Sequence, residues 1–220
     1  MSDAILFDID GTLVDSTYHH ALAWQRSFRR LDMTFPFWRI HRTIGMGGDK
    51  LVGQVAGDEV EEKHGDELRD GWVEEYRKLT AEVHPLPGAV ELVREVADAG
   101  MLVALASSGE TEFSEQARDL LGIGDLVHTM TTSADADDSK PDADILAATL
   151  DRLPSERALL IGDTPYDVEA AGRIGLGCLC VLSGGFSRAE LEEAGAALVV
   201  EDPSELAGTD WNKHLRTPTR

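Results

Sequence analysis

Lysine and cysteine are the scarcest informative residues in this 220-residue chain. There are five lysines against 15 arginines, and two cysteines. Lys and Arg together number 20 against 41 Asp and Glu, a net charge of -21. An acidic surface repels phosphate backbones and anionic lipid, which argues against nucleic-acid and membrane partners. Cys178 and Cys180 stand at i, i+2 in GLGCLCVL, where a strand points both side chains to one face. They read as small core residues in a reducing compartment, with no disulfide framework. No apolar run approaches the ~18 residues of a membrane span. The opening residues MSDAILF lack the basic stretch of a secretion signal. The expectation is a cytoplasmic protein, monomeric or a small homo-oligomer.

Apolar composition, 42%, is ordinary, and the length suits one core domain with an insertion. Four short apolar runs end at small or acidic residues. They are Ala4–Phe7 before Asp8, Met101–Ala106 before Ser107-Ser108-Gly109, Ala158–Ile161 before Gly162-Asp163, and Leu176–Leu182 before Ser183-Gly184-Gly185. Amphipathic segments over 89–99, 112–121 and 142–153 separate them. Strands alternating with helices predict a parallel α/β sheet, with its site at the carboxyl ends of the strands. The stretch from about Thr17 to Val83 breaks that rhythm. It carries two long helical patterns around a glycine-rich loop, IGMGGDK, and no strand pattern. HPLPG at 84–88 returns the chain to the alternating pattern. Residues 133–144 read as a polar loop, and the tail after Gly208 as frayed.

Two carboxylates as close as Asp8 and Asp10 repel unless a cation lies beside them or one is protonated. Asp-Gly after a strand is also an ordinary turn. Asp163, Asp167, Lys140 and Ser107 are each unremarkable alone, as turn, cap or loop residues. Their shared position at the ends of apolar runs points to one convergent site.

FDIDGTLVDS, Ser107, SKP and GDTPYD occur in the order found in the haloacid dehalogenase superfamily, and the chain resembles its capped branch, which includes phosphoglycolate phosphatases and β-phosphoglucomutase. The resemblance implies a Rossmann-like α/β core over 1–15 and 85–220, with an inserted all-helical cap over 16–84. It implies Asp8 as nucleophile and Asp10 as general acid and base. Mg2+ would be held by the Asp8 and Asp163 carboxylates and the Asp10 backbone carbonyl. Ser107, with Ser108 and Gly109, would hold the phosphoryl oxygens, and Lys140 would balance their charge. Asp167 would fix Lys140 or the metal's waters, and Thr12 would support the turn. The partner would be a small phosphorylated metabolite.

Other features separate the branches. The dehalogenases that name the superfamily lack an acid at the position of Asp10. The mutases usually place Glu where Gly162 stands, so Gly162 favours hydrolysis. Arg39, His41, Arg42 and Lys50 form a basic stretch in an acidic chain, suited to an anionic substrate; Arg42, Gly47 and Lys50 are candidates for substrate contact. MGGDK also resembles phosphonoacetaldehyde hydrolases, whose cap lysine forms a Schiff base. His20 could point into the site, with Trp24 packing beside it. A mutase, a phosphonatase, or a receiver-like phospho-acceptor module are the alternatives to a Mg2+-dependent phosphatase.

Overall fold

The computed structural model describes residues 2–135 and 139–219. Of the polar loop expected over 133–144, residues 136–138 therefore lie outside the described residues. Six strands form one parallel sheet: β1 (Ser2–Phe7), β2 (Leu102–Ala106), β3 (Val127–Thr131), β4 (Ser155–Gly162), β5 (Gly177–Val181) and β6 (Leu198–Val200), in the order β3-β2-β1-β4-β5-β6. The strand order turns around at β1, which pairs with both β2 and β4. In open α/β sheets that switch point is where the crevice forms.

The apolar runs become strands because both faces are covered. Ile5 and Phe7 pack into one hydrophobic cluster, and Ala4 and Leu6 into another. A parallel strand buried on both faces carries a continuous apolar run, which is what the sequence shows. The two edge strands carry no such run. β3 is VHTMT, only partly buried, and β6 is three residues long. Cys178 and Cys180 are buried on one face of β5, with their Sγ atoms 3.8 Å apart. Helices α5 (Ala89–Asp98), α6 (Thr111–Leu121), α7 (Asp144–Asp151), α8 (Pro165–Arg173) and α9 (Arg188–Ala194) flank the sheet.

Between β1 and α5 the regular elements are all helical: α1 (Thr17–Arg30), α2 (Phe37–His41), α3 (Gly48–Ala56), α4 (Asp58–Arg77) and a short 3-10 turn, Thr80–Glu82. Helices α1 and α4 approach closely because Gly71 offers no side chain; a Cβ there would lie 2.6 Å from Ser27 Oγ. Ser27 Oγ in turn donates to Leu68 O at 2.6 Å. Trp24 and Trp72 stack between these helices, ring centroids 5.5 Å apart. Among the described residues, no helix is long and apolar enough to cross a membrane.

The C-terminal stretch is packed, not frayed. Trp211 and Leu215 are buried, and Ala158 and Arg216 exchange backbone hydrogen bonds at 2.8 and 3.0 Å. The burial of one large aromatic outweighs the polar character of the residues around it. Trp211→Ala should therefore lower stability by about 3 kcal/mol, read from urea unfolding; a loss under about 0.5 kcal/mol would place the tail outside the folded unit.

Candidate active site

Asp8 is the first residue past β1, and its N–H still donates to Ile161 O at 2.9 Å, so the sheet itself sets its backbone. The chain then turns at Gly11, whose φ of +82° suits glycine. A Cβ at Gly11 would also stand 2.4 Å from Asp163 Oδ2. Asp163 follows β4 on the neighbouring strand, so the switch point sets the two acids face to face. Thr12 Oγ1 lies 3.2 Å from Asp8 Oδ2 and 3.2 Å from Asp163 Oδ1, and its single proton can serve one of them at a time. Asp167 comes from the first turn of α8. Its Oδ2 accepts from the Thr164 hydroxyl at 2.7 Å and its N–H donates back to Thr164 Oγ1, a reciprocal cap that locks its rotamer.

Lys140 joins these acids and is 1% exposed. Its Nζ donates to Asp8 Oδ1 at 2.5 Å and to Ala106 O at 3.1 Å, and forms an ion pair with Asp167 Oδ1 at 2.7 Å. Burial alone would lower the ammonium pKa, but Asp167 and Asp8 outweigh it and hold the group charged. Buried acids outnumber the buried cation here. Burial, with Asp167 and Asp10 nearby, raises Asp8 to about 7 against the pull of Lys140. Burial and the Asp8 charge push Asp163 well above the usual carboxylate range.

Asp10 faces the other way, into the helical layer. Its Oδ1 accepts from Ser16 Oγ at 2.6 Å and lies 2.8 Å from His20 Nε2. Burial would raise its pKa, but His20 and Ser16 outweigh that and hold it below the usual range. The His20 ring stacks on Tyr76 with centroids 3.9 Å apart, which fixes its orientation. Ser107 is buried at the end of β2, and its Oγ accepts from Gly109 N–H at 3.0 Å. Ser108 Oγ accepts from Lys140 N–H at 3.3 Å.

A cavity of about 220 Å3 lies between the sheet and the helical layer. Asp8, Asp10, Ser107, Ser108, Gly109 and His20 line it, so six of the expected site residues converge there. Lys140, Asp163, Asp167 and Thr12 form the layer beneath, reached through Asp8. The basic stretch does not face this cavity. Arg42 pairs with Glu190 at 2.5 Å and lies over the Phe186 ring, because α9 brings an acid that composition alone could not place. Lys50 Nζ bonds Ser139 O and Asp142 Oδ2, each at 2.5 Å, and Gly47 N–H donates to Ser139 Oγ at 3.0 Å. Both residues grip the loop that carries Lys140, together with Asp49, whose Oδ1 accepts from Ser139 Oγ at 2.5 Å. Arg69 and Trp72 of α4 line the cavity and were not anticipated, although their i, i+3 spacing puts them on one helix face.

Asp8, Asp163 and Asp167 bring carboxylate oxygens within 4.8 Å of one another, a donor set suited to a hard cation. Asp163 Oδ2 is buried with no hydrogen-bond partner. A Cβ at Gly184 would lie 1.9 Å from it, so the space around that oxygen is kept clear of side chains. Asp167 is held by Lys140 and Thr164 and Asp8 by Lys140 and Thr12, so Asp163 Oδ2 is the oxygen of this cluster left most open to an ion.

The pattern that defines haloacid dehalogenase-like hydrolases matches residues 5–181. The chain belongs to that family. It is 29% identical over 175 residues to a phosphoglycolate phosphatase of Aquifex aeolicus, covering 78% of this chain and 80% of the relative. It is 26% identical to a validoxylamine A 7'-phosphate phosphatase of Streptomyces hygroscopicus, covering 81% and 85%. The crystal structure of a hydrolase from Pseudomonas syringae superimposes with a TM-score of 0.88 at 31% identity, over 93% of this chain and 95% of that one.

The raised Asp8 pKa gives a stability prediction for chelator-treated protein. The folded chain keeps the Asp8 proton to about pH 7, whereas an unfolded aspartate loses it near about pH 4. Between those values the folded state binds more protons, so stability falls as pH rises. Melting with EDTA present should show a lower midpoint at pH 8 than at pH 5.5, and Asp163→Asn should recover part of the difference. A midpoint that rises over this interval in wild type would contradict the crowding of acids.

Proposed function

We propose that the chain is a Mg2+-dependent phosphatase of small phosphomonoesters, of the phosphoglycolate or the sugar and polyol phosphate kind. One observation carries the reading. Asp8 is buried at the switch point with one oxygen on Lys140, beside an unpartnered Asp163 oxygen, at the floor of a cavity whose wall holds the Asp10–His20 pair. Asp8, Asp163 and the backbone of Asp10 would hold the Mg2+. The ion would relieve the repulsion between a carboxylate and an anionic phosphate.

The chain's own groups account for the rest. An Asp8 oxygen bonds to phosphorus as the ester oxygen departs, giving an aspartyl-phosphate. Lys140 offsets charge on the phosphoryl oxygens, and Ser107 with the N–H groups after it orients them. Asp10 Oδ1 and His20 Nε2 lie 2.8 Å apart, both lining the cavity. That pair delivers a proton to the departing oxygen and takes one from the water that later releases phosphate.

Hydrolysis is favoured over mutase chemistry by space as well as by motif. A Cβ at Gly162 would lie 2.5 Å from Asp167 Cγ, so the glutamate of the mutases has no room there. The lysine of a phosphonatase is not supported either, because Lys50 is bonded to Ser139 and Asp142 outside the cavity wall. A receiver-like acceptor is disfavoured by the helical layer over Asp8.

Purified protein should hydrolyse p-nitrophenyl phosphate with MgCl2, and lose that activity in EDTA. Asp8→Asn should reduce kcat by at least about a thousandfold, since it replaces the proposed nucleophilic carboxylate with an amide. Turnover by Asp8→Asn near the wild-type rate would refute the covalent route.

A further inference from the structure

We propose that the outer part of the cavity selects a phosphomonoester whose leaving group is small, uncharged and hydroxylated, and that the Trp72 indole N–H is a donor to one of its oxygens. This rests on the phosphatase reading and narrows it, setting a neutral polyol or sugar against a leaving group that bears a carboxylate or a second phosphate.

Charge carries the first part. Among the described residues, and away from Asp8, Asp10 and His20, the ionisable residues lining the cavity are Asp49, Arg69 and Glu110. Arg69 is the one cation among them, and neighbouring acids balance it. Its guanidinium donates to Glu61 Oε1 at 2.8 Å, Gly48 O at 3.0 Å and Asp66 Oδ1 at 3.0 Å. Asp49 from the helical layer and Glu110 from the sheet layer add acidic side chains on either side of the cavity. A second anionic group on the substrate would meet acids and a guanidinium already held by carboxylates, an arrangement that rejects it. Sugar bisphosphates and phosphoglycolate carry such a group.

Shape and hydrogen bonding carry the second part. The cavity's volume, about 220 Å3, lies below the range for drug-sized ligands. Trp24 and Trp72 stack at 5.5 Å and 16° on its wall, and flat aromatic faces suit the C–H edges of a polyol. Trp72 is 7% exposed, and its Nε1 has no hydrogen-bond partner. An indole N–H can only donate, and a buried donor without an acceptor is costly. A hydroxyl or carbonyl oxygen of the leaving group supplies that acceptor without adding the charge the acids reject.

The test is kcat/KM with MgCl2 for glycerol 3-phosphate, a tetritol and a pentitol monophosphate, 2-phosphoglycolate, fructose 1,6-bisphosphate and p-nitrophenyl phosphate. At least one polyol monophosphate should exceed 2-phosphoglycolate and the bisphosphate by about tenfold or more. Trp72→Phe keeps the ring and removes the N–H. It should lower the ratio of polyol phosphate to p-nitrophenyl phosphate turnover by about tenfold, chiefly through KM. Glu110→Lys, an exposed change that should not disturb folding, should raise 2-phosphoglycolate relative to the polyol phosphates several-fold. If p-nitrophenyl phosphate and every other ester are inert, the phosphatase reading fails and this one with it. If p-nitrophenyl phosphate is turned over but 2-phosphoglycolate or the bisphosphate leads the panel, the selectivity alone is overturned. An unchanged ratio in Trp72→Phe removes the indole from the assignment.

Discussion

One buried ammonium holds this site together. Lys140 has no route to water and sets its charge between Asp8 and Asp167, with the Ala106 carbonyl taking another proton. A buried charge is tolerated only when paired and hydrogen-bonded. Removing any partner would strand the rest, so the ends of β1, β2 and β4 and the start of α8 are tied to one atom. Yet one cation cannot balance three acids. Asp163 keeps a buried oxygen that no group among the described residues satisfies. The ammonium that ties the cluster together and the open oxygen where the proposed ion would sit thus belong to one group of charges.

The second aspartate is kept out of that cluster. Asp10 is two residues from Asp8, and in an extended strand both would share a face. The turn at Gly11 ends the strand, and Ser16 with His20 draws the Asp10 carboxylate toward α1. Two identical side chains therefore sit in opposite electrostatic settings. One lies among acids and is raised in pKa; the other is beside a histidine and is lowered. The roles proposed for the two, attack for one and proton handling for the other, rest on that separation.

Much of this was legible in the sequence because the sheet imposes its own grammar. Polar residues that interrupt a run buried on both faces must stand at a strand end, which is why Asp8, Ser107 and Asp163 could be gathered from one dimension. The edge strands were not legible: half-solvated VHTMT and three-residue LVV lack that run. The basic stretch misled for a different reason. Whether Arg42 meets substrate or Glu190 depends on which helix the fold brings alongside, 148 positions away, and local charge says nothing about that. Trp72 and Arg69 carried a helical spacing that would have placed them together, but nothing in it said that their face looks inward. The tail was judged by polarity, and its two buried apolar residues outweighed that.

Residues 47–50, the start of α3, grip the neighbouring backbone of the sheet layer. Asp49 and Gly47 hold Ser139, and Lys50 holds Ser139 and Asp142, so the segment bearing Lys140 is clasped on both sides by the helical layer. Any displacement of that layer from the sheet would break these hydrogen bonds on either side of the ammonium, so the placing of Lys140 depends on two layers at once.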